Sequence, residues 1–372
     1  MRRSTPVLGA VVAALALGMS AIPATAHEDG VEPSVDVVVT GLNNPRQLST
    51  DWHNWSIYVA EAGRGAESPD QCGEFGCIGR TGSVTWIKSP AKTTNSVTPK
   101  RVVVGLPSNA SPDGAFAVGP NGVDAVQGKL WTVVGGGEQE IPGGYKEAGK
   151  LLSVQTHGAK PKVVADIEKY ELDHNPGGNP EDVHSNPYAV LALNDRQIVA
   201  DAGANTVYEV RNGRIKVLAV LPGGPGGEGG ANGPQQVPSS VTRGPDGDYY
   251  VGVLAEGDGP GGAKVYRIGA GGGVKGTIDG FTGVHGLTFN HDGDLYVSEL
   301  FGGEQGSGRV VKVDADSGAR TYLDVPFPAG LAVDRAGTVY VAAWSISDAD
   351  GFSDPESGMT GEPGQVWRLN DF

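Results

Sequence analysis

Gly280-Phe281-Thr282-Gly283-Val284-His285-Gly286-Leu287-Thr288-Phe289-Asn290, then His291-Asp292-Gly293-Asp294, then Leu295-Tyr296-Val297-Ser298-Glu299, is the stretch whose reading decides the fold. Leu287–Phe289 is a short β-prone run, and His-Asp-Gly-Asp supplies a tight turn in which Gly293 can take positive φ. Leu295–Ser298 is a second strand, Arg309–Val313 alternates as a third, and Thr321–Val325 supplies a fourth. Four strands at short range make one antiparallel meander.

The same phrase recurs along the chain. Tyr58-Val59-Ala60-Glu61, Tyr250-Val251-Gly252 and Tyr340-Val341-Ala342 align with Tyr296-Val297-Ser298-Glu299, and Trp131-Thr132-Val133 and Ile198-Val199-Ala200-Asp201 are more distant copies. The last interval, from Tyr296 to Tyr340, is the usual length of a four-stranded blade. A blade cannot bury both faces alone, so six copies close into a ring. The expectation is all-β: a six-bladed β-propeller over residues 35–372, with a two-sheet sandwich as the alternative. The sixth unit ends after its third strand, Gln365–Leu369, while Val35–Leu42 has no unit of its own. The N-terminal strand is therefore predicted to complete the last blade. No apolar segment of helical period is read after residue 30.

Residues 1–26 read as a signal peptide: Arg2-Arg3, an apolar run from Pro6 to Ala21, and Ala24-Thr25-Ala26 as a small-residue cleavage site. The alternative, a membrane anchor, is weakened by the short apolar core and the lack of a second span. Residues 27–34 are a polar leader, and the mature chain is expected to be secreted, with no membrane span and as a monomer. Cleavage would remove two arginines and no acid, taking the net charge from −15 to −17. Without a basic cluster such a surface disfavours nucleic acid. Cys72 and Cys77, the only cysteines, are close in sequence and read as a local disulfide in a secreted chain.

Strand direction selects the working face. The start of each inner strand and the end of the second lie at one end of the blade. The long insertions, 62–82, 135–149, 167–186, 222–236 and 345–364, all fall there, and function in repeat folds tends to sit on the loop-bearing face. Near the axis on that face the sequence places Asn44, Arg46, His184, Asn186, Ser239 and His285. Glu61, Asp201 and Glu299 end second strands, with Arg64 and Asn205 close behind. Candidate ligand-binding residues are therefore Arg46, Glu61, Arg64, Asn186, Asp201, Asn205, Ser239, His285 and Glu299. Glu61, Asn186, Asp201 and Glu299 could hold a hard divalent cation through oxygen. The alternative is that these side chains tie down loop backbone. No nucleophile elbow and no phosphate-cradling Gly-Lys-Ser motif is present.

Gly41-Leu42-Asn43-Asn44-Pro45-Arg46, the run Tyr58–Gly65, Ser185-Asn186-Pro187-Tyr188 and the run Val199–Asn205 resemble the ScyD/ScyE family, and the likeness covers nearly the whole mature chain. That family consists of predicted secreted propellers named for an association with scytonemin pigment biosynthesis. Membership implies an NHL-like or lactonase-like propeller and supplies no established reaction. The chain departs from the pattern at Asn121-Gly122-Val123-Asp124, where a Pro-His-Asp approach is usual, and at Val253-Leu254, where an acid often stands. Two functions compete. One is a non-catalytic binding or scaffold protein for an extracellular small molecule, glycan or protein. The other is a metal-dependent lactonase-like hydrolase at the channel mouth. A quinone-dependent sugar dehydrogenase shares the fold only.

Overall fold

A computed structural model describes residues 33–51, 55–73, 76–92, 97–156, 160–178, 183–222, 235–255, 259–303, 308–353 and 360–372. The expected signal peptide, nearly all of the expected leader and most of the Gly-rich insertion at 222–236 lie outside these residues. Six four-stranded antiparallel sheets stand around an axis. Their inner strands are Pro45–Asp51, Pro120–Val126, Pro187–Ala192, Pro238–Arg243, Val284–Phe289 and Leu331–Val333, each packed beside the next until the sixth meets the first. This is the predicted six-bladed propeller.

The ring closes as the sequence predicts. Ser34–Leu42 pairs antiparallel with Gly364–Asn370, with Val35 opposite Leu369 and Thr40 opposite Gln365. That strand supplies the outer edge of blade 6. Val38, Val39 and Leu42 turn inward and are fully buried in a cluster with Leu48, Ile57, Ile87 and Val366. One chain end thus closes against the other, leaving no unpaired third strand.

The blades stand close because their inner strands carry glycine. A Cβ on Gly286 would come 2.4 Å from the Ala329 carbonyl oxygen, and one on Gly330 would come 2.4 Å from the Leu48 nitrogen. Neither position can take a side chain without moving the neighbouring blade's backbone.

Two expectations need correcting. A helix does form, over Ile167–His174, inside the insertion read as loop. It is too short to show an apolar period, and its ends hold it. The Asp166 side chain accepts from the Lys169 N–H at 3.1 Å, and Asn175 closes the C-terminus at φ 42°. Lys169 pairs with Asp173 one turn on, and Tyr208 donates to buried Glu171 at 2.5 Å. Second, the third strand of blade 1 runs over Cys77–Lys88 and so begins inside the insertion read as 62–82, because residues 77–79 pair with Ser108–Ala110. The Cys72–Cys77 disulfide sits at its start. No described helix is long and apolar enough to cross a membrane.

Candidate functional site

The approach to the inner strands is built the same way in five blades. Pro45, Pro120, Pro187 and Pro238 open the inner strands of blades 1 to 4, and Val284 does so in blade 5. Proline suits a strand's first residue, where no ladder N–H is needed. After each one the pairing register slips: Pro45 to Leu48, Pro120 to Gly122, Pro187 to Ala189, Pro238 to Ser240 and Val284 to Gly286. The residues inside these bulges are Arg46 with Gln47, Asn121, Tyr188, Ser239 and His285. A bulge re-aims its extra residue out of the ladder and is frequent beside functional sites. Here five bulges set those side chains in one ring at the loop-bearing mouth.

The ring's members meet across the axis. Gln47 donates from Nε2 to the Ser239 carbonyl at 2.9 Å and to the His285 carbonyl at 2.7 Å, reaching from blade 1 to blades 4 and 5. The Tyr188 hydroxyl of blade 3 bonds His285 Nε2 of blade 5. Ser239 donates from Oγ to the Val284 carbonyl. Arg46 spans two loops, donating from Nη2 to the Ala117 carbonyl at 2.6 Å and from Nη1 to the Ser345 carbonyl. Only 6% of Arg46 is exposed, and among the described residues no carboxylate pairs with it. A buried guanidinium without a counter-charge is unusual, because desolvating it costs several kcal/mol on the order of the penalty for any buried ion.

Burial, reinforced by the Arg46 charge, pulls His285 down to about 3, so it is a neutral imidazole throughout the physiological range. Burial pushes the Tyr188 hydroxyl up, which keeps it protonated. Three buried polar atoms here lack a hydrogen bond: Arg46 Nε, Asn121 Oδ1 and Ser345 Oγ, while the His285 ring interacts with the Pro328 carbonyl. Orphaned buried groups are rare in folded proteins, and each calls for an explanation.

The carboxylates behave otherwise. Glu61 accepts from the Asn43 N–H at 2.7 Å, from Ser83 and Thr85 at 3.0 and 2.5 Å, and from Arg101 at 2.8 and 3.1 Å. Asp201 accepts from the Asn186 N–H at 2.7 Å, from Ser185 at 2.6 Å, and from the Gly203 and Ala204 N–H groups at 3.1 Å each. Glu299 accepts from the Thr282 N–H at 2.7 Å and from Arg309. All three are fully buried, each in its own blade. In each case the acid grips the backbone one or two residues ahead of the inner strand. Burial pushes Asp201 up, against the pull of its donors.

These acids are therefore not brought together. Among the described residues no group of three or more His, Cys, Asp or Glu side chains converges so as to hold a metal ion. A cation does not fit the expected set. Its carboxylate oxygens are taken by backbone N–H groups and arginines, and the guanidinium at the mouth opposes positive charge. Asn186 does lie at the mouth, accepting from Gly136 N–H at 3.2 Å and close to Asn121 and Glu140. Glu140 pairs with His184 at 2.8 Å. Asn205 accepts from the Val237 N–H at 2.8 Å and ties blade 3 to blade 4, while Arg64 sits at the rim near Asp350.

Of the expected residues, Arg46, Asn186, Ser239 and His285 belong to the mouth; Glu61, Asp201, Glu299, Asn205 and Arg64 hold loops. Sequence reasoning missed the roles of Tyr188, Gln47 and Asn121. The proline repeated ahead of Arg46, Asn121, Tyr188 and Ser239 marks four of the five bulges and could have found Asn121 and Tyr188.

An all-β ring with a polar mouth on its loop face defines the class, and comparison with known proteins gives the family. Residues 164–360, more than half of the chain, match the SMP-30/Gluconolactonase/LRE-like region, and the chain belongs to that family. Solved structures that resemble it include a luciferin-regenerating enzyme (11% identity, 92% of this chain and 96% of that one, TM-score 0.54). A gluconolactonase from Xanthomonas campestris follows at 12% identity, with 94% and 95% covered and a TM-score of 0.53. A calcium-binding protein, regucalcin, from Agrobacterium tumefaciens shares 13% identity, with 90% and 92% covered and a TM-score of 0.51. At these identities the likeness is one of fold. No curated protein matches the chain.

Proposed function

We propose that this chain is a secreted, non-catalytic binding protein, a ScyD/ScyE-like branch of its family, that takes an anionic small molecule at the loop-bearing mouth. The observation that carries the reading is Arg46: a buried guanidinium held by two carbonyls, with no carboxylate partner among the described residues and Nε unsatisfied. A bound anion would supply the missing charge and acceptor. Neutral His285 and protonated Tyr188 beside it add polarity without adding negative charge. Thermal shift with gluconate, acetate and phosphate, on wild type and on Arg46→Met, tests this. Stabilisation by at least one anion that disappears in the variant supports the reading, and no anion effect on wild type refutes it.

The second reading is metal-dependent lactone hydrolysis. The family's name and the fold shared with a gluconolactonase favour it. It requires Glu61, Asp201 and Glu299 to release the loops they hold and to join Asn186 as ligands. Turnover of gluconolactone that depends on calcium, magnesium, manganese or zinc and is lost in Asp201→Asn would establish it in place of the first.

A further inference from the structure

Three aromatic residues of the loop-bearing face hold backbone conformations that bulky side chains avoid: Phe116 at φ 51°, Phe327 at φ 42° and Trp344 at φ 55°. Left-handed backbone at such residues is strained and persists where the surroundings over-determine it, often at ligand clamps. They come from separate segments and converge. The Phe327 and Trp344 rings lie 5.9 Å apart, and Phe301 stands edge-on to Phe327 at 6.5 Å. The Phe116 N–H donates to the Ile346 carbonyl at 3.4 Å, and the Ser345 N–H donates to the Phe327 carbonyl at 3.0 Å. Phe116 is 36% exposed, and the other three rings are half-buried. Partly exposed aromatic side chains therefore cluster on this face.

The same backbone holds the unpaired guanidinium. Arg46 donates to the carbonyls of Ala117 and Ser345, the residues that follow Phe116 and Trp344. The strained aromatic positions and the buried cation are thus neighbours in space, and Arg46 Nε and Ser345 Oγ are both left without a hydrogen bond. Glu140, a carboxylate at the mouth beside Asn186, is engaged with His184.

We infer that the ligand is an aryl carboxylate, its carboxylate on Arg46 and its ring against Phe116, Phe327 and Trp344. A carboxylate matches the fork of guanidinium donors, and a flat ring matches a cluster of faces and edges. A sugar acid would satisfy Arg46 and leave the aromatic cluster exposed, so the cluster selects the class. This rests on the proposed anion mouth and adds the aromatic requirement.

Calorimetric titration of the mature chain with 2-naphthoate, 2-naphthamide and gluconate tests both parts separately. The expected result is binding of 2-naphthoate at least tenfold tighter than either of the others. Trp344→Ala should weaken 2-naphthoate at least fivefold, and Arg46→Met should abolish its advantage over the amide. If Arg46→Met does not fold, the naphthoate-to-naphthamide ratio on wild type reads the same contact. Gluconate binding as tightly as 2-naphthoate overturns the aryl class while leaving the anion mouth in place. Binding of neither anion overturns both. Naphthoate binding unchanged by Trp344→Ala places the ring elsewhere and also overturns the inference.

Discussion

Leu42→Ala tests the closure of the ring by its N-terminal strand. Leu42 is fully buried at the end of the strand Ser34–Leu42, opposite Gly364 and within the cluster shared by blades 1 and 6. Truncating a fully buried leucine costs about 2–5 kcal/mol, from lost transfer energy plus the cavity left behind. Total stability of a domain is roughly 5–15 kcal/mol, so the loss is a large fraction. At about 2–4 °C per kcal/mol for a domain of this class, the melting temperature should fall by roughly 4–20 °C. Val37→Ala, in the same strand but 36% exposed, should change stability by no more than about 0.5 kcal/mol. Removing residues 35–42 altogether should expose the edge of Gly364–Asn370 and promote aggregation, whereas removing 27–33 should not. Differential scanning calorimetry and size-exclusion chromatography read both effects. Equal melting of Leu42→Ala and Val37→Ala, or a soluble, unshifted truncation at 42, would refute the closure.

Glu61→Gln should lower stability by about 2–3 kcal/mol, the low end of the range for a broken buried pair because Arg101 reaches solvent. Denaturant titration checks it; an unshifted midpoint accompanied by lost divalent-cation binding would restore a metal role. His285 is neutral in the folded chain and titrates near its ordinary value when unfolded, so the unfolded state takes up the proton. Its contribution is complete above about pH 6.5 and is lost as pH falls towards about 3, with a slope of up to about 1.4 kcal/mol per pH unit. Urea midpoints from pH 4 to 7 should show that slope in wild type and not in His285→Gln; parallel profiles would contradict the assignment. Cys72→Ser with Cys77→Ser should cost no more than about 2 kcal/mol, since the closed loop is short. A collapse of the global transition in that double variant would show the bridge to matter beyond its loop.

What could be read from the sequence was what repeats. Tyr58, Tyr296 and Tyr340 stand at one position of the second strand and are all buried there, which is why the blade count and the closing strand could be counted without coordinates. The helix at Ile167–His174 occurs once, and its support comes from a capping aspartate and one ion pair rather than from a period. The loop-bearing face was legible because chain direction alone places it. Which side chains meet there was not. Tyr188 and His285 are 97 residues apart, and their contact exists only because two bulges turn them to the axis.

The carboxylates show why a repeated polar residue is ambiguous in a ring. Glu61, Asp201 and Glu299 end the second strands of blades 1, 3 and 5, while Val134, Val253 and Ala343 end those of blades 2, 4 and 6. Equivalence by repeat places the three acids at the same height and radius, which is what a shared cation site would also require. The repeat, however, copies the local backbone along with the acid. Each copy finds its own N–H groups ahead of its own inner strand, each 2.7 Å away, and spends its oxygens there. A shared ligand needs the opposite pattern, in which equivalent positions carry different side chains that complement one another across the axis. The bulge residues fit that description: an arginine, a glutamine, an asparagine, a tyrosine, a serine and a histidine, with unsatisfied atoms among them. In this propeller the positions that agree hold the blades, and the positions that differ form the candidate site.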